Sequence, residues 1–264
     1  MRALFHDWPG LALKSFYWLF VLYLFLPLSL MVAVSFKDAS FISFPLGNLT
    51  IDWYAKVIQD KQFLDACLYT IMIAAATTAI ATVIGVWIAM LIGSLRGAAQ
   101  YVAFAVACLP AVVPGMISAI SLRIFITTID LPTGTVAIIL GHVVHAVPFV
   151  VVMVLTRLRS MPGNLVDAAR DLGADSIVTF FRVTLPYLGP AIFGGMIFCL
   201  LLSSDDFVRT FFLGGYRPTL PMLIFARVQS GMSPEINVMA TLVLVVTAVV
   251  GLYAEYLTRR SRIR

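Results

Sequence analysis

Long uncharged stretches alternate with short polar ones along this chain. Residues 15–36 lie between Lys14 and Lys37, and 66–95 between Asp65 and Arg96. Residues 97–122 run from Arg96 to Arg123, with the apolar character continuing to Ile129. Residues 131–156 lie between Asp130 and Arg157, 183–204 between Arg182 and Asp205, and 236–254 between Glu235 and Glu255. A helix needs about 20 apolar residues to cross a hydrocarbon core of ~30 Å. The pattern therefore predicts an all-α polytopic membrane protein with six transmembrane helices, at about 15–36, 66–94, 101–127, 135–156, 188–205 and 237–257. Their apolar character runs all the way round, which a water-facing helix does not tolerate. In the second span, Ala74, Ala75, Ala76, Thr77, Thr78, Ala79, Ala81 and Gly85 are small. Small residues let helices approach closely in lipid, so this span is expected to pack against protein. The first apolar run is longer than a signal-peptide core and is expected to remain as an uncleaved helix. A single membrane domain over 1–264 is the simplest organisation.

Composition agrees with the pattern. Of 264 residues, 61% are hydrophobic and 12% charged, about half the charged share of a soluble domain. Mean hydropathy is +0.99. A soluble enzyme, a disordered chain and a disulfide scaffold are excluded on these grounds. The net charge of +5 does not indicate nucleic-acid binding, because the basic residues sit between apolar segments, as the positive-inside bias requires. With the N-terminus inside, the inside segments hold Arg2, Lys14, Arg96, Arg157, Arg159, Arg170, Arg182 and the cluster Arg259-Arg260-Ser261-Arg262-Ile263-Arg264. The outside segments hold only Lys37, Lys56, Lys61, Arg209, Arg217 and Arg227. Both termini are thus expected in the cytoplasm. Cys67, Cys108 and Cys199 lie in or beside apolar runs and read as buried free thiols.

The inside segment 157–187 is too long for a mere turn. Pro162-Gly163-Asn164 signals a turn and a helix start. Asp167 and Asp171 are expected early in that helix, where its dipole favours acids. Ala169 and Gly173 are four apart and would share a nearly bare face, open to close approach by another backbone. A second helix is expected from Asp175, with re-entry to the membrane at Val183-Thr184-Leu185-Pro186. Composition alone also leaves open an amphipathic helix lying on the bilayer.

The spacing Asp167-Ala168-Ala169, three residues, Gly173, nine residues, Val183, one residue, Leu185-Pro186 resembles the "EAA" motif. That motif, Glu-Ala-Ala-x3-Gly-x9-Ile-x-Leu-Pro, belongs to permease subunits of binding-protein-dependent ABC importers. Asp167 replaces Glu and Val183 replaces Ile, keeping charge and branching. Leu109-Pro110-Ala111-Val112-Val113-Pro114, Ser203-Ser204-Asp205-Asp206-Phe207 and Ser233-Pro234-Glu235-Ile236-Asn237 are similar to further segments of the second permease of polyamine-type importers. The resemblance implies a type I importer fold in a bacterial inner membrane. It also implies a second permease, two cytoplasmic ATPases and a periplasmic solute-binding protein. Asp167, Ala168, Ala169, Gly173, Leu185 and Pro186 would form the ATPase-coupling segment. The sequence contains no Gly-x4-Gly-Lys-[Ser/Thr]. ATP and Mg are accordingly expected in the partner ATPase, with no cofactor on this chain and no enzymatic activity of its own.

Ionisable groups in spans read as functional by default. Arg123 in the third span is either a snorkelling residue or a pathway cation. Asp205 and Asp206 end the fifth span, and adjacent acids on a helix point different ways, so one is expected to cap and one to face the pathway. His142 and His145, three apart in the fourth span, lack a third metal ligand and are expected to hydrogen-bond between helices. Trp8, Trp18, Trp53 and Trp87 suit interface anchoring or packing. Many polyamine members carry an acid just after the second proline of the third-span motif, where this chain has Gly115. The solutes consistent with the sequence therefore extend from polyamines to zwitterions, opine-like amino-acid derivatives and organophosphonates. A stand-alone secondary transporter is the alternative, and would normally carry more spans and inverted repeats.

Overall fold

A computed structural model describes residues 8–38, 48–231 and 234–262. Arg2, Ser233, Ile263 and Arg264 lie outside the described residues, as do the side chains of Trp8 and of Arg259, Arg260 and Arg262. The elements in chain order are α1 (Trp8–Val34), α2 (Asp52–Gln59), α3 (Lys61–Ser94), α4 (Ala98–Val112), α5 (Gly115–Thr128), α6 (Thr135–Arg159), α7 (Asn164–Asp171), α8 (Ser176–Thr179), a π-turn (Phe180–Thr184), α9 (Leu185–Ser204), α10 (Phe207–Leu213), α11 (Leu220–Ser230) and α12 (Pro234–Arg262). Among the described residues, five helical stretches are long and apolar enough to cross a membrane: Gly10–Val34, α3, α6, Ser176–Ser204 and Pro234–Tyr253.

The expected third span, 101–127, is not one straight helix. It is the pair α4 and α5, bent by 98°. Pro114 has no N–H to continue the ladder and its ring disfavours α geometry at the residue before it. Val113 is accordingly extended, at φ −68° and ψ 128°. α4 alone rises about 22 Å, short of the ~30 Å core. Its partner α5 turns sharply away rather than continuing outward.

The chain divides into two compact units. One comprises residues 1–63 and 224–250, the other residues 64–223 and 251–264. In the first, α1 is almost wholly exposed along its apolar length. Ser35 at its end meets the Tyr54 hydroxyl at 2.6 Å, and Phe36 stacks on Tyr54. Trp53 Nε1 donates to the Lys37 carbonyl at 3.2 Å, which makes this Trp a packing residue. Asp60 caps the start of α3 by accepting from the Gln62 N–H at 2.9 Å. Arg227 pairs with both Asp60 and Glu235. Burial alone would raise the Asp60 carboxyl. The Arg227 hydrogen bond and charge, with the Gln62 and Phe63 N–H groups, outweigh that and hold it below its ordinary value.

α6 is the centre of the second unit. Val143, Ala146, Val147, Val150, Val151, Val154 and Leu155 pack with Ala81, Val86, Ala89 and Ile92 of α3, and with Leu188 and Cys199 of α9. Helix propensity disfavours so many valines, but burial overrides it. Of the small residues of α3, Ala74, Thr77, Thr78, Ala81 and Gly85 are buried, whereas Ala75 and Ala79 are exposed and Ala76 is half-buried, so one side of the helix packs against protein and the other does not. Gly85 marks the closest approach, since a Cβ there would lie 2.6 Å from Val150 Cβ. Trp87 stacks on Phe180.

Candidate functional site

The 157–187 segment is closed at its base by a contact that charge counting does not reveal. Arg157 Nε donates to the Tyr187 carbonyl at 3.2 Å, and its guanidinium lies over the Tyr187 ring. The Tyr187 hydroxyl donates to the Ser160 carbonyl at 2.9 Å. Both ends of the segment are thereby pinned to each other, next to the buried Leu155 and Leu188.

Within it, α7 is shorter than the residue pattern suggests. Asp167 lies in its first turn, but Asp171 is its last residue, so the expected placement of both acids early in the helix is corrected. Gly173 is past the helix end, and it does not share a helical face with Ala169 as expected. Its φ is +82°. Its N–H donates to the Arg170 carbonyl at 2.8 Å, and the Ala174 N–H to the Ala169 carbonyl at 3.0 Å. This pair of bonds is the Schellman arrangement, which selects glycine because a Cβ opposes positive φ. Asp175 then caps α8, its Oδ1 accepting from the Val178 N–H at 2.7 Å.

Ser176–Ser204 is one helical stretch with a widened turn. The Leu185 N–H bonds to the Phe180 carbonyl, five residues back. Pro186 is the cause: its ring would clash with the carbonyl four residues earlier in a regular helix. Asp167, Ala168 and Gly173 are exposed, Ala169 and Leu185 half-buried. Leu172 is 90% exposed and Ile177 68%. A groove of about 440 Å³ runs between Ala169, Gly173 and Asp175 on one side and Val178, Arg182 and Val183 on the other. The knob thus presents a bare, capped turn flanked by exposed apolar side chains.

A second polar cluster surrounds the α9–α10 turn. Asp206 caps α10, accepting from the Arg209 N–H at 3.0 Å and from Arg209 Nη1 at 2.7 Å. His142 joins three helices: Nδ1 meets the Ser203 hydroxyl at 2.8 Å and Nε2 the Thr210 hydroxyl at 3.1 Å. That is the interhelical bonding expected of it. His145 lies edge-on to Phe149 and hydrogen-bonds the Pro110 carbonyl of α4. Asp205 ends α9 with its side chain exposed. Asp205, Asp206, His145, Arg209 and Gly115 line one cavity of about 470 Å³. Asp206 caps α10 and Asp205 is exposed, yet both line the same cavity, unlike the expectation that adjacent acids cannot share one face.

Arg123 is not in that cavity. It is exposed on α5 and Nη1 donates to the Phe212 carbonyl at 3.3 Å, a cation at the C-terminal end of α10. Arg209, which the sequence presents only as an outside basic residue, is the buried cation beside the acids. Its signal was the three-residue spacing from Asp206. Among the described residues no group of three His, Cys, Asp or Glu could hold a metal.

Residues 61–263 match the family model described as binding-protein-dependent transport system inner membrane component. The chain is 33% identical over 247 residues to the putrescine transport system permease protein PotI of Escherichia coli strain K12, covering 90% of this chain and 88% of that one. It is 26% identical to the spermidine/putrescine transport system permease protein PotC of Haemophilus influenzae, covering 94% and 96%. Its fold is similar to a chain in the crystal structure of a bacterial ABC transporter that imports the acidic polysaccharide alginate, with a TM-score of 0.80, 16% identity and 98% of each chain covered. The chain therefore belongs to the binding-protein-dependent transport system inner membrane component family. It is an ABC importer permease subunit, with no enzymatic role of its own.

Proposed function

We propose that this permease forms half of a translocation pathway in a bacterial inner membrane, beside a second permease, and is driven by two cytoplasmic ATPases that hold the ATP and Mg. A periplasmic binding protein delivers the solute, in keeping with the family's description. The solute is a small amine-bearing compound, of the polyamine type named for the relatives or an amino-acid-derived or phosphonate relation of it. Both termini lie in the cytoplasm, on the side favoured by the basic residues.

The observation that carries this reading is the exposed, capped knob from Asp167 to Gly173 on a segment whose base is pinned by Arg157 and Tyr187. Asp167, Ala168 and Ala169 present the small face of α7, Gly173 fixes where it stops, and Leu185-Pro186 set the widened turn into α9. Closure of the ATPases moves the knob. Because the base is pinned, displacement passes into α6 and α9, which pack together along their length. Alternating access follows from rocking these helices, with no chemistry on the chain itself.

Co-expression tests it. Putrescine uptake into vesicles should require ATP, the ATPase, the second permease and the binding protein. Uptake by this chain alone would overturn the reading in favour of a stand-alone transporter.

A further inference from the structure

We propose that the cavity at the α9–α10 turn is an oxyanion-accepting subsite on the translocation path, so that the transported amine also carries an acid group. The inference rests on the permease reading above.

The cavity's wall brings together three features that share one preference. Arg209 is 4% exposed. One of its N–H groups is taken by Asp206, while Nε and Nη2 are buried without a hydrogen-bond partner. Those two nitrogens form one edge of the guanidinium, the geometry that receives a carboxylate or phosphonate through two parallel bonds. Buried donors left unpaired are costly and call for an acceptor. The second feature is the start of α5. Pro114 offers no side-chain cap, so the N–H groups of Gly115, Met116 and Ile117 have no intrahelical acceptor. A 14-residue helix also places positive dipole there. Gly115 lines the same cavity and has nothing within 4 Å of where a Cβ would sit. The third is His145, whose Nδ1 is buried and unpaired and donates to an acid in the tautomer protonated there.

The net charge of the wall sets the other half of the ligand. Arg209 and Asp206 neutralise each other, which leaves the exposed Asp205 carboxylate. A lone anion would be repelled by it. An amine bound to Asp205 removes that repulsion and places an acid within the same cavity, toward Arg209 and the α5 start. At about 470 Å³ the space is that of a small-molecule site, typically ~300–1,000 Å³. Zwitterionic amines fit this wall, and plain diamines leave Arg209 Nε and Nη2 without an acceptor.

The test compares 4-aminobutyrate, 3-aminopropylphosphonate and putrescine binding to the full-length chain in nanodiscs by calorimetric titration. The three probes separate carboxylate from phosphonate, and both from a diamine of the same reach. The expected result is at least about tenfold tighter binding of one of the acids than of putrescine. Arg209→Lys should remove that preference, because an ammonium keeps the charge but not the two-bond edge. Gly115→Glu, substituted into open space, should reverse it, which guards against Arg209→Lys acting only through misfolding. Equal or tighter binding of putrescine, an unchanged preference in Arg209→Lys, or no binding of any probe would overturn the proposal and leave Arg209 as a structural ion pair. ATP-driven uptake with no acid preference would sink this inference alone. Uptake without the ATPase would sink the importer reading alone.

Discussion

The α9–α10 turn and the 164–186 segment both concentrate polar groups, but they satisfy them in opposite ways. Around the turn, His142, Ser203, Asp206, Arg209 and Thr210 come from three helices and bond mainly to one another. Along the segment, bonds are local: Ala169 with Ala174, Arg170 with Gly173, Asp175 with Val178. The first cluster holds helices together inside the bundle, where a missing partner strands a charge. The second makes its hydrogen bonds mainly within its own stretch of chain and leaves Leu172, Ile177 and Phe181 facing outward. Energy stored in tertiary contacts thus goes to the membrane body, while the knob depends on chain geometry.

The largest effect separating the two is expected from Asp206→Ala. It strips the counter-charge from a buried guanidinium, at a cost of about 3–5 kcal/mol. The thermal midpoint of the purified chain should fall steeply, whereas Asp205→Ala, at an exposed site, should leave it nearly unchanged. Equal midpoints for the two variants would erase the distinction.

A middle-sized effect is expected at Gly173. Gly173→Ala forces a Cβ into positive φ at about 1 kcal/mol. Because the bonds there are local, the midpoint should hold while ATPase association or solute-stimulated hydrolysis falls. Asn tolerates that backbone region better, so Gly173→Asn should be milder. Two variants that behave alike would argue that the knob needs bareness rather than its backbone turn.

The smallest effect sharpens the comparison with a case between the two. Asp60 bonds both locally and to Arg227 across the fold. Its folded-state carboxyl lies below the ordinary value of 3.8. The stabilisation is therefore present above about 3.8 and is lost as pH falls through the lowered value. Asp60→Asn should lower thermal stability slightly at neutral pH, where the stabilisation is present, and flatten the acid-side loss. An unchanged acid limb would remove Asp60 as its cause.

What could be read from the sequence follows the same divide. Five of the spans were legible because hydrophobicity over some twenty residues is a local property. The knob was legible because its motif is contiguous, although Gly173 was assigned to a face when its φ makes it a terminator. The bend between α4 and α5 had its signal in Val113-Pro114, which the apolar run masked. Arg209 was missed because its three-residue spacing from Asp206 signals a pair but not its burial, which comes from α6 and α9 meeting α10. Arg123 reads from its place in a span as either a snorkelling residue or a pathway cation. Once the span bends, it becomes a cap on a neighbouring helix.

The widened turn at Phe180–Thr184 works as a phase shifter. One residue more than a regular winding offsets everything ahead of Pro186 by about 100° around the axis. Shortening that turn by a single amino acid would swivel the knob to another bearing while every helix stayed intact. Pro186 therefore sets the heading of a surface more than ten positions upstream that it never touches.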